Sequence, residues 1–398
     1  MSTPLEGIKI LDMTHFQSGP SATQLLAWLG AEVIKIEEPL IGDKARIEMS
    51  TDSDEDSFYF RIFNSNKKSI CLDIKSSLGL NIFKKLIKIS DVIVENFAPG
   101  YMDKLGLDYK NLKKINPKII YASIKGYGSK GINSKYKSFE GVAQAASGIM
   151  STNGEPNNEP QIVSAGVSDS GSGLHCVIGI LTAIINRSKT QKGDFIDISM
   201  QDASLNLNRM KMINTLSSGT PEPRIGNILR GQPSLFACYP GGYYDYIYIC
   251  IGGESWESIL AIIDRSDLIL DEKFSSESSR KKHFNEIKKI IEKWTMKYSK
   301  FQIMDIFNNA GIPCSAVYST HEITNDVHLI SREMIVDINS SNTKTNYKQI
   351  GSPINMDSFN IKIKKHPLLG EHSEELLKEL LGFDEKYISK LRNLNIIN

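Results

Sequence analysis

Short apolar runs alternate with amphipathic stretches along the first 200 residues of the chain. The apolar runs are rich in Val and Ile, and they predict strands at Ile8–Met13, Glu32–Ile36, Ser69–Ile74, Asp91–Glu95, Ile119–Ile124 and Asp194–Ser199. Between them, helical spacing of apolar residues predicts helices at Ala22–Leu29 and Leu78–Ile89, and a long helix at about 170–186. Strands that alternate with helices in this way are typical of a parallel sheet covered on both faces. The pattern therefore predicts an α/β fold with a doubly wound, Rossmann-like sheet.

The chain changes character after Gln201. A helix predicted over Asp202–Leu216 leads into residues 217–233, whose Gly, Pro and Ser content is typical of a linker or a functional loop. Beyond it, a hairpin through Pro240–Gly242 precedes three amphipathic helices, predicted at Glu254–Ile263, His283–Tyr298 and Phe301–Ala310. Short strands then resume before a C-terminal helix, Ser373–Leu381, and a polar tail. This second pattern predicts a smaller α+β domain.

The charges of the chain are almost balanced. Lys and Arg together number 47 against 46 for Asp and Glu, so the net charge is +1. No overall field draws such a chain to nucleic acid or to an anionic membrane, and neither is an expected partner. Any anionic ligand must be held by a local site. Most of the basic residues are Lys, which lacks the bidentate fork that Arg offers to phosphate.

The cysteines and histidines show no metal-site spacing. Five cysteines lie far apart without a C-x-x-C pair, and the seven histidines form no H-E-x-x-H pattern. We therefore expect neither a disulfide framework nor a metal site. The N-terminus has no basic region followed by an apolar stretch, and the longest apolar run, Leu174–Ile185, is too short for the ~20 residues that span a bilayer. These features predict a cytoplasmic protein without membrane contact.

Two loops carry candidate chemistry. The first holds His15, Gln17 and Ser18 at the carboxyl end of the first strand, where ligands of a doubly wound sheet bind, but it lacks the G-x-G-x-x-G spacing of a dinucleotide site. The second, Gly166–Gly173, precedes the long helix and holds Asp169, where a helix N-cap is expected. Such an Asp is usually only a cap. Its small neighbours nevertheless leave room for a ligand, and a charged, accessible carboxylate can act as a nucleophile. Spacing alone leaves both interpretations open.

A set of segments in conserved order identifies a family. They are PLEGIKILDMTHFQSGPSATQLLAWLGAEVIKIE, FNSNKKSICLDIK, VENFAPGYMDKLGL, YASIKGYG, GVSDSGSG, ISMQDASLN, GIPCSAV and HPLLGEHSEELLKELLG. Through these segments the chain resembles the class III CoA-transferases over nearly its whole length. The resemblance is closest to the members that use formyl-CoA and oxalate.

The resemblance implies that CoA is transferred from an acyl-CoA donor to a small carboxylic acid. The family's nucleophilic aspartate falls on Asp169, which forms an aspartyl anhydride and then an aspartyl-CoA thioester. Gln17 falls on a position that hydrogen-bonds the acyl oxygen, and Tyr59 and Glu140 fall on positions that line the catalytic pocket. Because the pKa of an ordinary Asp is ~4, the nucleophile is expected to be ionised at neutral pH without a general base. Coenzyme A enters as a substrate, and neither a metal nor a redox cofactor is expected.

Further family positions carry over as binding residues. Those expected to hold CoA are His15, Gln17, Ser18, Leu72, Lys75, Asn96, Phe97, Ala98, Lys104 and Lys137. Those expected to line the substrate pocket or its lid are Tyr59, Arg230, Gly231 and Gln232. Among them, Lys75, Lys104 and Lys137 supply the cations that a polyanionic substrate needs in a chain of near-zero net charge. Arg230 is expected to meet the carboxylate of the acceptor acid.

Several positions depart from the members that use formyl-CoA and oxalate. Glu38 stands where they carry an Arg that meets a CoA phosphate, and Lys104 replaces a second Arg with a point charge. Glu48 lies about where they have a pocket Trp, and Phe139 lacks a Tyr hydroxyl. Their run of lid glycines is reduced here to Gly231, so the flexibility of the lid is expected to differ. Acetyl-CoA and succinyl-CoA therefore remain alternative donors.

The resemblance also implies an architecture. A large discontinuous domain combines residues 1–200 with residues 331–398, residues 201–225 act as a linker, and residues 226–330 form the small domain. Two such chains are expected to form an interlocked ring homodimer.

Two other functions remain as alternatives. An α-methylacyl-CoA racemase shares the fold but needs a His some 30 residues before the Asp, and no His occurs between His15 and His175. A CoA-binding protein without turnover would fit the altered lid and Glu38. The presence of Gln17 and Asp169 disfavours it.

Overall fold

The Val- and Ile-rich segments form a six-stranded sheet. The computed structural model describes residues 3–50, 55–229, 231–252, 255–339 and 346–398. Its first six strands are β1 (Lys9–Asp12), β2 (Glu32–Glu37), β3 (Lys68–Cys71), β4 (Val92–Glu95), β5 (Ile120–Lys125) and β6 (Phe195–Ser199). They lie in the order β3-β2-β1-β4-β5-β6, and every neighbouring pair is parallel. The predicted doubly wound α/β sheet is confirmed, and its order reverses between β1 and β4, where such sheets bind ligands.

Helices cover both faces of this sheet. Those of the first part of the chain are α1 (Ser18–Trp28), α2 (Phe58–Phe63), α3 (Ser77–Lys88), α4 (Tyr101–Lys104), α5 (Tyr109–Ile115), α6 (Glu140–Ala146), α7 (Ile149–Thr152), α8 (Val167–Thr190), α9 (Met200–Leu207) and α10 (Ile213–Ser218). On one face, α1 and α8 pack through residues such as Leu26 and Ile180. On the other face, α3 and α5 pack through Phe83 and Leu112. Apolar residues cover each strand on both sides, as a parallel sheet requires.

Helix α8 is the core helix that carries the candidate nucleophile at its start. It runs for 24 residues, beyond the predicted end near residue 186. Within the described part of the chain it is the one helix long and apolar enough to cross a membrane, by length and composition only. Here it packs against α1 and β5, with Cys176, Val177 and Ile180 in the core. The cytoplasmic location and the absence of membrane contact stay predictions.

A second compact unit comprises Asn153–Pro160 and Pro223–Leu329. Its strands are β7 (Ile228–Leu229), β8 (Gln232–Pro233), β9 (Leu235–Ala237), β10 (Tyr246–Ile249) and β11 (Cys314–Ala316). Its helices are α11 (Ser255–Ile262), α12 (Glu277–Lys282), α13 (Phe284–Thr295), α14 (Lys300–Asn309) and α15 (Thr320–Ile323), and α16 (Val327–Ser331) follows at its boundary. The strands β9, β10 and β11 form an antiparallel sheet. Side chains such as Phe236, Ile259 and Phe307 fill a separate core.

The last part of the chain belongs to the same compact unit as the parallel sheet. That unit comprises Met1–Thr152, Gln161–Glu222 and Ile330–Asn398. The elements of its last part are β12 (Ile335–Ile338), β13 (Tyr347–Ile350), α17 (Ser373–Leu381) and α18 (Glu385–Asn393). The side chain of Ser373 accepts the backbone N–H of Cys71 at 3.0 Å, which ties α17 to β3.

The structure differs from the sequence prediction in three segments. Residues 201–225 were assigned to a linker, but as far as Glu222 they belong to the same unit as the parallel sheet, and the helix predicted over Asp202–Leu216 is present there as α9 and α10. Ser204 of α9 is buried and donates to Ser168 of α8 at 2.7 Å. Residues 153–160 belong to the smaller unit, where Gly226 N–H donates to the Gly154 carbonyl at 3.0 Å. The predicted polar tail contains α18, which buries Leu391 in the core below the sheet.

Candidate active site

The loop before α8 places Asp169 at the start of the helix but not as its cap. The N-cap is Gly166, whose φ of 60° lies in the left-handed region that favours glycine. Asp169 is therefore the third residue of the helix, and its side chain is partly buried. The predicted N-cap role of Asp169 is wrong. This leaves its carboxylate without the capping hydrogen bonds that would have occupied it.

Glu140 occupies the N-terminus of α8 instead. Its carboxylate oxygens accept the backbone N–H groups of Ser168 at 2.9 Å and Asp169 at 2.6 Å. The side chain of Gln144, one turn further along α6, donates to the same carboxylate at 2.6 Å. The positive end of the α8 dipole therefore stabilises the Glu140 carboxylate. A second negative charge consequently lies beside the candidate nucleophile.

The surroundings of Asp169 change its ionisation. Burial, and then the charge of Glu140, raises the pKa of Asp169 to about 7. The expectation of an ionised carboxylate at neutral pH was wrong, because it used the pKa of a solvated Asp. In the free protein the group is partly protonated near neutrality. A carboxyl group poised in this range is typical of a functional site.

The loop between β1 and α1 brings Gln17 to the start of α8, next to Asp169. Gln17 is the N-cap residue of α1, but its side chain makes no cap hydrogen bond. Its Nε2 instead donates to Ser170 Oγ at 3.0 Å. A Cβ at Gly166 would lie 2.2 Å from Gln17 Nε2, so only glycine permits this approach. The amide that was predicted to bind the acyl oxygen therefore lies beside the residue that follows Asp169.

Asn96 fixes the loop that carries Gln17. Its Oδ1 accepts the His15 N–H at 2.8 Å, and its Nδ2 donates to the His15 carbonyl at 2.8 Å and to Ser18 Oγ at 3.0 Å. The ring of Phe97 packs against the His15 imidazole with centroids 5.1 Å apart. The structure thus gathers four predicted CoA-binding residues where the strand order reverses between β1 and β4.

Tyr59 belongs to the same site. It lies in α2 and is partly buried. Burial raises the pKa of its phenol above the ordinary value, and the charges of Asp169 and Glu140 raise it further. The phenol is therefore protonated at neutral pH and can donate a hydrogen bond toward the pocket.

The remaining residues that are predicted to bind CoA lie in different environments. The Leu72 side chain is 1% exposed and lies in the core, so only its backbone can face a ligand. Ala98 is exposed beyond β4. Lys104 and Lys137 are exposed, and neither forms an ion pair with another residue of the described ranges. Lys75, by contrast, pairs with Glu38, with Nζ and Oε1 2.6 Å apart.

The Lys75–Glu38 pair leads to a prediction about CoA affinity. Removing the negative charge in Glu38→Gln frees Lys75 for a phosphate, so the KM for acyl-CoA is expected to fall about 2- to 5-fold, as for the loss of an exposed ion pair. The effect should weaken as salt is added. Steady-state kinetics measure it, with Glu374→Gln as the control because Glu374 forms a comparable exposed pair with Lys378 on α17. An unchanged KM in Glu38→Gln would show that Lys75 does not bind the substrate.

Two predicted lid residues, Gly231 and Gln232, belong to the smaller unit. Gly231 has φ of +77°, and a Cβ there would lie 2.5 Å from the Lys281 side chain. The Gln232 side chain is 2% exposed, and its Nε2 donates to the Glu277 carbonyl at 3.5 Å. Arg230 lies outside the described residues. The assignment of all three to a lid stays a prediction.

Sequence reasoning missed a group of ionised residues beneath the β1–α1 loop. This buried charge cluster consists of Asp12, Lys35, Glu37, Asp43, Arg46 and Lys67. Its contacts include Lys67 Nζ to Asp12 Oδ2 at 2.9 Å and Lys35 Nζ to Asp43 Oδ2 at 2.9 Å. One signal was present in the sequence, because Lys35 interrupts the apolar strand EVIKIE. A charge inside a buried strand requires a buried partner.

The described residues contain no group of three or more His, Cys, Asp or Glu side chains suited to a metal ion. The side chains gathered around Asp169 are an amide, a phenol, a second carboxylate and small hydroxyls. Such a set can hold an acyl group and its oxygens while a carboxylate reacts with it.

Comparisons with known proteins agree with this geometry. The sequence pattern of CoA-transferase family III matches residues 5–373. The chain is 40% identical to a formyl-CoA:oxalate CoA-transferase of Streptomyces coelicolor, over 99% of each chain. It is 38% identical to a protein of the same name from Rhodopseudomonas palustris, over 99% of this chain and 97% of that one.

Solved structures show the same fold. A CAIB/BAIF family protein from Brucella suis is 29% identical and superposes with a TM-score of 0.86, over 96% of this chain and 100% of that one. The Rv3272 protein of Mycobacterium tuberculosis is 26% identical and gives 0.80, over 94% and 98% of the two chains. Sequence pattern, full-length relatives and fold together show that the chain belongs to CoA-transferase family III and is a CoA-transferase.

Proposed function

We propose that this CoA-transferase moves CoA from formyl-CoA to oxalate through covalent intermediates on Asp169. The relatives of about 40% identity bear that activity in their names. The observation that carries the proposal is the position of Asp169. Its partly buried carboxylate does not cap α8, and the Gln17 amide lies 3.0 Å from the hydroxyl of the next residue, Ser170. Without a capping bond, the carboxylate is free to attack an acyl carbon.

The reaction follows from the chemistry of a carboxylate and a thioester. The ionised Asp169 attacks the formyl carbonyl, the C–S bond breaks, and CoA leaves as the thiolate. The thiolate then attacks the Asp169 carbonyl of the mixed anhydride, which releases formate and leaves an aspartyl-CoA thioester. Oxalate attacks that thioester to form a second anhydride and free thiolate. Attack of the thiolate on the oxalyl carbonyl gives oxalyl-CoA and regenerates the Asp169 carboxylate.

Gln17 and Tyr59 stabilise the charge that develops in these steps. Each attack places negative charge on a carbonyl oxygen, and preorganised donors stabilise it. The Gln17 Nε2 lies 3.0 Å from Ser170 Oγ in the free protein and can turn to such an oxygen. The Tyr59 phenol is protonated at neutral pH, since burial and nearby carboxylates raise its pKa further above an ordinary value that is already well above neutrality.

Glu140 is expected to set the pH range of the free enzyme. Only the ionised Asp169 attacks, so kcat/KM should rise with pH through about 7, the value to which its pKa is raised. In Glu140→Gln one negative neighbour is lost, and this acid limb should move to lower pH by roughly one unit. Burial still raises the pKa of Asp169 in this variant, so the midpoint of the acid limb should stay above the pKa range of a solvated Asp. A pH profile of kcat/KM measures the limb.

The position of the limb separates this electrostatic role from a structural one. Glu140→Gln also weakens the hydrogen bonds to the first N–H groups of α8, so the maximal rate is expected to fall as well. Asp202→Asn serves as the control, because it removes an exposed carboxylate from the neighbouring α9. An acid limb that stays in place in Glu140→Gln would remove Glu140 as a cause of the raised pKa.

The covalent route is tested by following oxygen. Oxalate labelled with ¹⁸O gives one of its oxygens to the Asp169 carboxylate when the second anhydride is cleaved. In a following turnover that oxygen leaves with formate whenever it is the carboxylate oxygen that attacks the formyl carbonyl. Mass spectrometry of the formate is therefore expected to detect ¹⁸O that came from oxalate. Formate free of the label throughout many turnovers would exclude the anhydride route.

The substrate pair is tested separately, because the sequence departs from its relatives in the lid and at Glu38. Formyl-, acetyl- and succinyl-CoA are each offered with oxalate, acetate and succinate, and the CoA products are identified by mass spectrometry. Formyl-CoA with oxalate is expected to give the highest kcat/KM. A higher value for an acetyl or succinyl donor would replace this substrate pair while leaving the role of Asp169 intact.

We also propose that two chains form the homodimer that the family resemblance implies. Supporting this, α8 and α10 carry large apolar side chains that are more than half exposed in the single chain, among them Ile178, Ile185 and Leu216. Exposed apolar surface of this kind is typical of an interface. Light scattering after gel filtration should give twice the mass of the 44.5 kDa chain. A monomeric mass with full activity would contradict the dimer.

A further inference from the structure

A buried ion pair supports the β1–α1 loop from below. Lys35, in β2, is 1% exposed, and its Nζ lies 2.9 Å from Asp43 Oδ2. The same Nζ donates to the Thr14 carbonyl at 2.7 Å, at the start of the loop. Buried charges of this kind are costly unless both partners are well placed. The Lys35–Asp43 pair is therefore held in place beneath the loop that carries Gln17.

The other oxygen of Asp43 faces the loop itself. Its Oδ1 lies 3.2 Å from His15 Nδ1 and accepts the Phe16 N–H at 3.3 Å. Phe16 has φ of 62°, a left-handed conformation that a bulky residue adopts only when its surroundings hold it there. Asp43 thus holds two consecutive residues of the loop, immediately before Gln17.

The charge of Asp43 decides where the His15 ring carries its hydrogen. Burial acts to raise the pKa of Asp43, but the neighbouring Lys35 and His15 outweigh it and hold that pKa well below its usual range. An ionised carboxylate can only accept hydrogen bonds, so His15 Nδ1 must donate. In the neutral imidazole the hydrogen then sits on Nδ1, and Nε2 carries a lone pair.

His15 Nε2 is the atom that remains available. No residue of the described ranges hydrogen-bonds it, and a quarter of the side chain is exposed. The ring packs against Phe97, and the His15 backbone N–H donates to Asn96. Both Phe97 and Asn96 are predicted to bind CoA. The exposed part of the ring therefore lies next to residues that are predicted to bind CoA.

We propose that Asp43, anchored by Lys35, is a positioning residue for CoA transfer: it holds His15 in the tautomer that presents a hydrogen-bond-accepting Nε2 to the acyl-CoA. The inference rests on the proposed function, because it assigns His15 to the site where acyl-CoA reacts with Asp169. Asp43 itself does not touch the substrate. It acts through the ring of His15 and the backbone of Phe16.

A second His–Asp pair offers a matched comparison. His366 Nε2 lies 3.4 Å from Asp56 Oδ2, but the His366 side chain is 2% exposed. Its Nδ1 lies 3.0 Å from the Tyr347 hydroxyl, so both ring nitrogens face protein atoms. The pair has no open side toward a ligand. Asp56→Asn therefore removes a partly buried carboxylate from the same unit, whose ion-pair partners are His366 and Arg46 and not residues of the β1–α1 loop.

The decisive variant is Asp43→Asn. The side-chain amide has one acceptor end and one donor end. The end that faces His15 also meets the N–H groups of Phe16 and Ala45, but an NH₂ group against the buried Lys35 ammonium is the costlier contact, so Lys35 takes the acceptor end. The NH₂ group then faces His15, so Nδ1 must accept and the hydrogen moves to Nε2. Adding Lys35→Met removes the ammonium that requires an acceptor. The side-chain amide of the Asp43→Asn variant can then turn its oxygen toward His15 Nδ1. Nitrogen NMR of the enzyme labelled with ¹⁵N-histidine, assigned with His15→Gln, reports the tautomer at pH 8 in the absence of substrate.

The expected results are specific to a positioning role. In wild type the neutral His15 ring should carry its hydrogen on Nδ1. In Asp43→Asn the hydrogen should be on Nε2, and kcat/KM should fall about 10- to 100-fold, as for loss of a partner that orients a ligand-binding histidine. The double variant should recover Nδ1–H and most of the activity, whereas Asp56→Asn should stay within about twofold of wild type while losing stability. An unchanged tautomer in Asp43→Asn, or an equal loss of activity in Asp56→Asn, would overturn the inference.

The two proposals fail in distinguishable ways. If wild type transfers no ¹⁸O from oxalate to formate, the covalent route on Asp169 fails, whatever the tautomer of His15. If wild type transfers the label and Asp43→Asn keeps both its tautomer and its kcat/KM, only the role of Asp43 fails.

Discussion

Asp169→Asn is expected to lose CoA transfer by at least about 10³-fold while becoming more stable than wild type at pH 8. The loss follows because the amide is a poor nucleophile and cannot form the anhydride. The gain follows from burial and from Glu140, which together raise the pKa of Asp169 to about 7. Active sites commonly trade stability for function in this manner.

The sign of the stability change depends on pH. Between about 4 and 7 the folded protein binds more protons at Asp169 than the unfolded chain, so stability falls as the pH rises through this range. At pH 8 wild type bears the full cost of the buried charge, on the order of 2 kcal/mol after allowance for solvent screening. Asn carries no charge. Its advantage should therefore be largest at pH 8 and disappear near pH 4.

Thermal unfolding at several pH values, with activity assays on the same samples, checks both parts of this prediction. Ser170→Ala is a suitable control, because it removes the Gln17 partner but keeps the carboxylate. We expect that variant to retain most of its activity and the pH dependence of wild-type stability. Appreciable turnover by Asp169→Asn would contradict the assignment of the nucleophile. A variant less stable than wild type at pH 8 would contradict the raised pKa.

The second large effect is expected at Asp12, in the buried charge cluster. Its side chain is fully buried and accepts hydrogen bonds from Thr14, Thr23 and Lys67. Lys67 and Lys35 hold the pKa of Asp12 well below its usual range despite burial. Asp12→Asn leaves two buried ammonium groups without this charge, and the free energy of unfolding should fall by about 3–5 kcal/mol.

Denaturant unfolding of Asp12→Asn measures this loss. Adding Lys67→Met should restore part of the stability, because it removes the charge left unpaired. Asp267→Asn, which removes an exposed carboxylate paired with Arg265, should change the unfolding midpoint little. The Asp12 contribution is present above the pKa of an unfolded Asp and is lost as the pH falls below it. Unchanged stability in Asp12→Asn would mean that the cluster does not need its carboxylate.

Much of the fold was predictable because strands and helices leave a local pattern. Each of the six strands of the parallel sheet was expected within a few residues of its observed bounds, and helix α17 was predicted with the observed ends. The polar residues of α18 concealed a helix, since only a narrow stripe that includes Ile388 and Leu391 faces the core. The domain boundary near residues 201–225 was less predictable. A helix over Asp202–Leu216 was expected, but the packing of α9 against α8 is a tertiary contact that the local pattern does not reveal.

The candidate site was predictable in part. The resemblance to the family located Asp169, Gln17, Tyr59 and Asn96, and the structure brings the first three to one place with Asn96 holding the loop. The ionisation of Asp169 could not be predicted, because it depends on which carboxylate accepts the backbone N–H groups at the start of α8. The sequence suggested Asp169, and the structure shows Glu140 from a separate helix.

The supporting charges were not predictable from local pattern. Asp43 lies far from His15 in sequence, and nothing in its neighbourhood marks it as a partner for a loop residue. Lys35 gave a signal, since a cation inside an apolar strand must be paired, but that signal does not name the partner. Long-range pairs of this kind require coordinates.

The central claim is tested most directly by mass spectrometry of the enzyme itself. Wild type is incubated with formyl-CoA in the absence of acceptor, digested rapidly, and the peptide that contains Asp169 is weighed. We expect a mass increase equal to the acyl-linked CoA on Asp169, absent from Asp169→Asn and removed when oxalate is added. An unmodified Asp169 peptide in enzyme that still transfers CoA, or an adduct on a different residue, would contradict a covalent mechanism at this carboxylate.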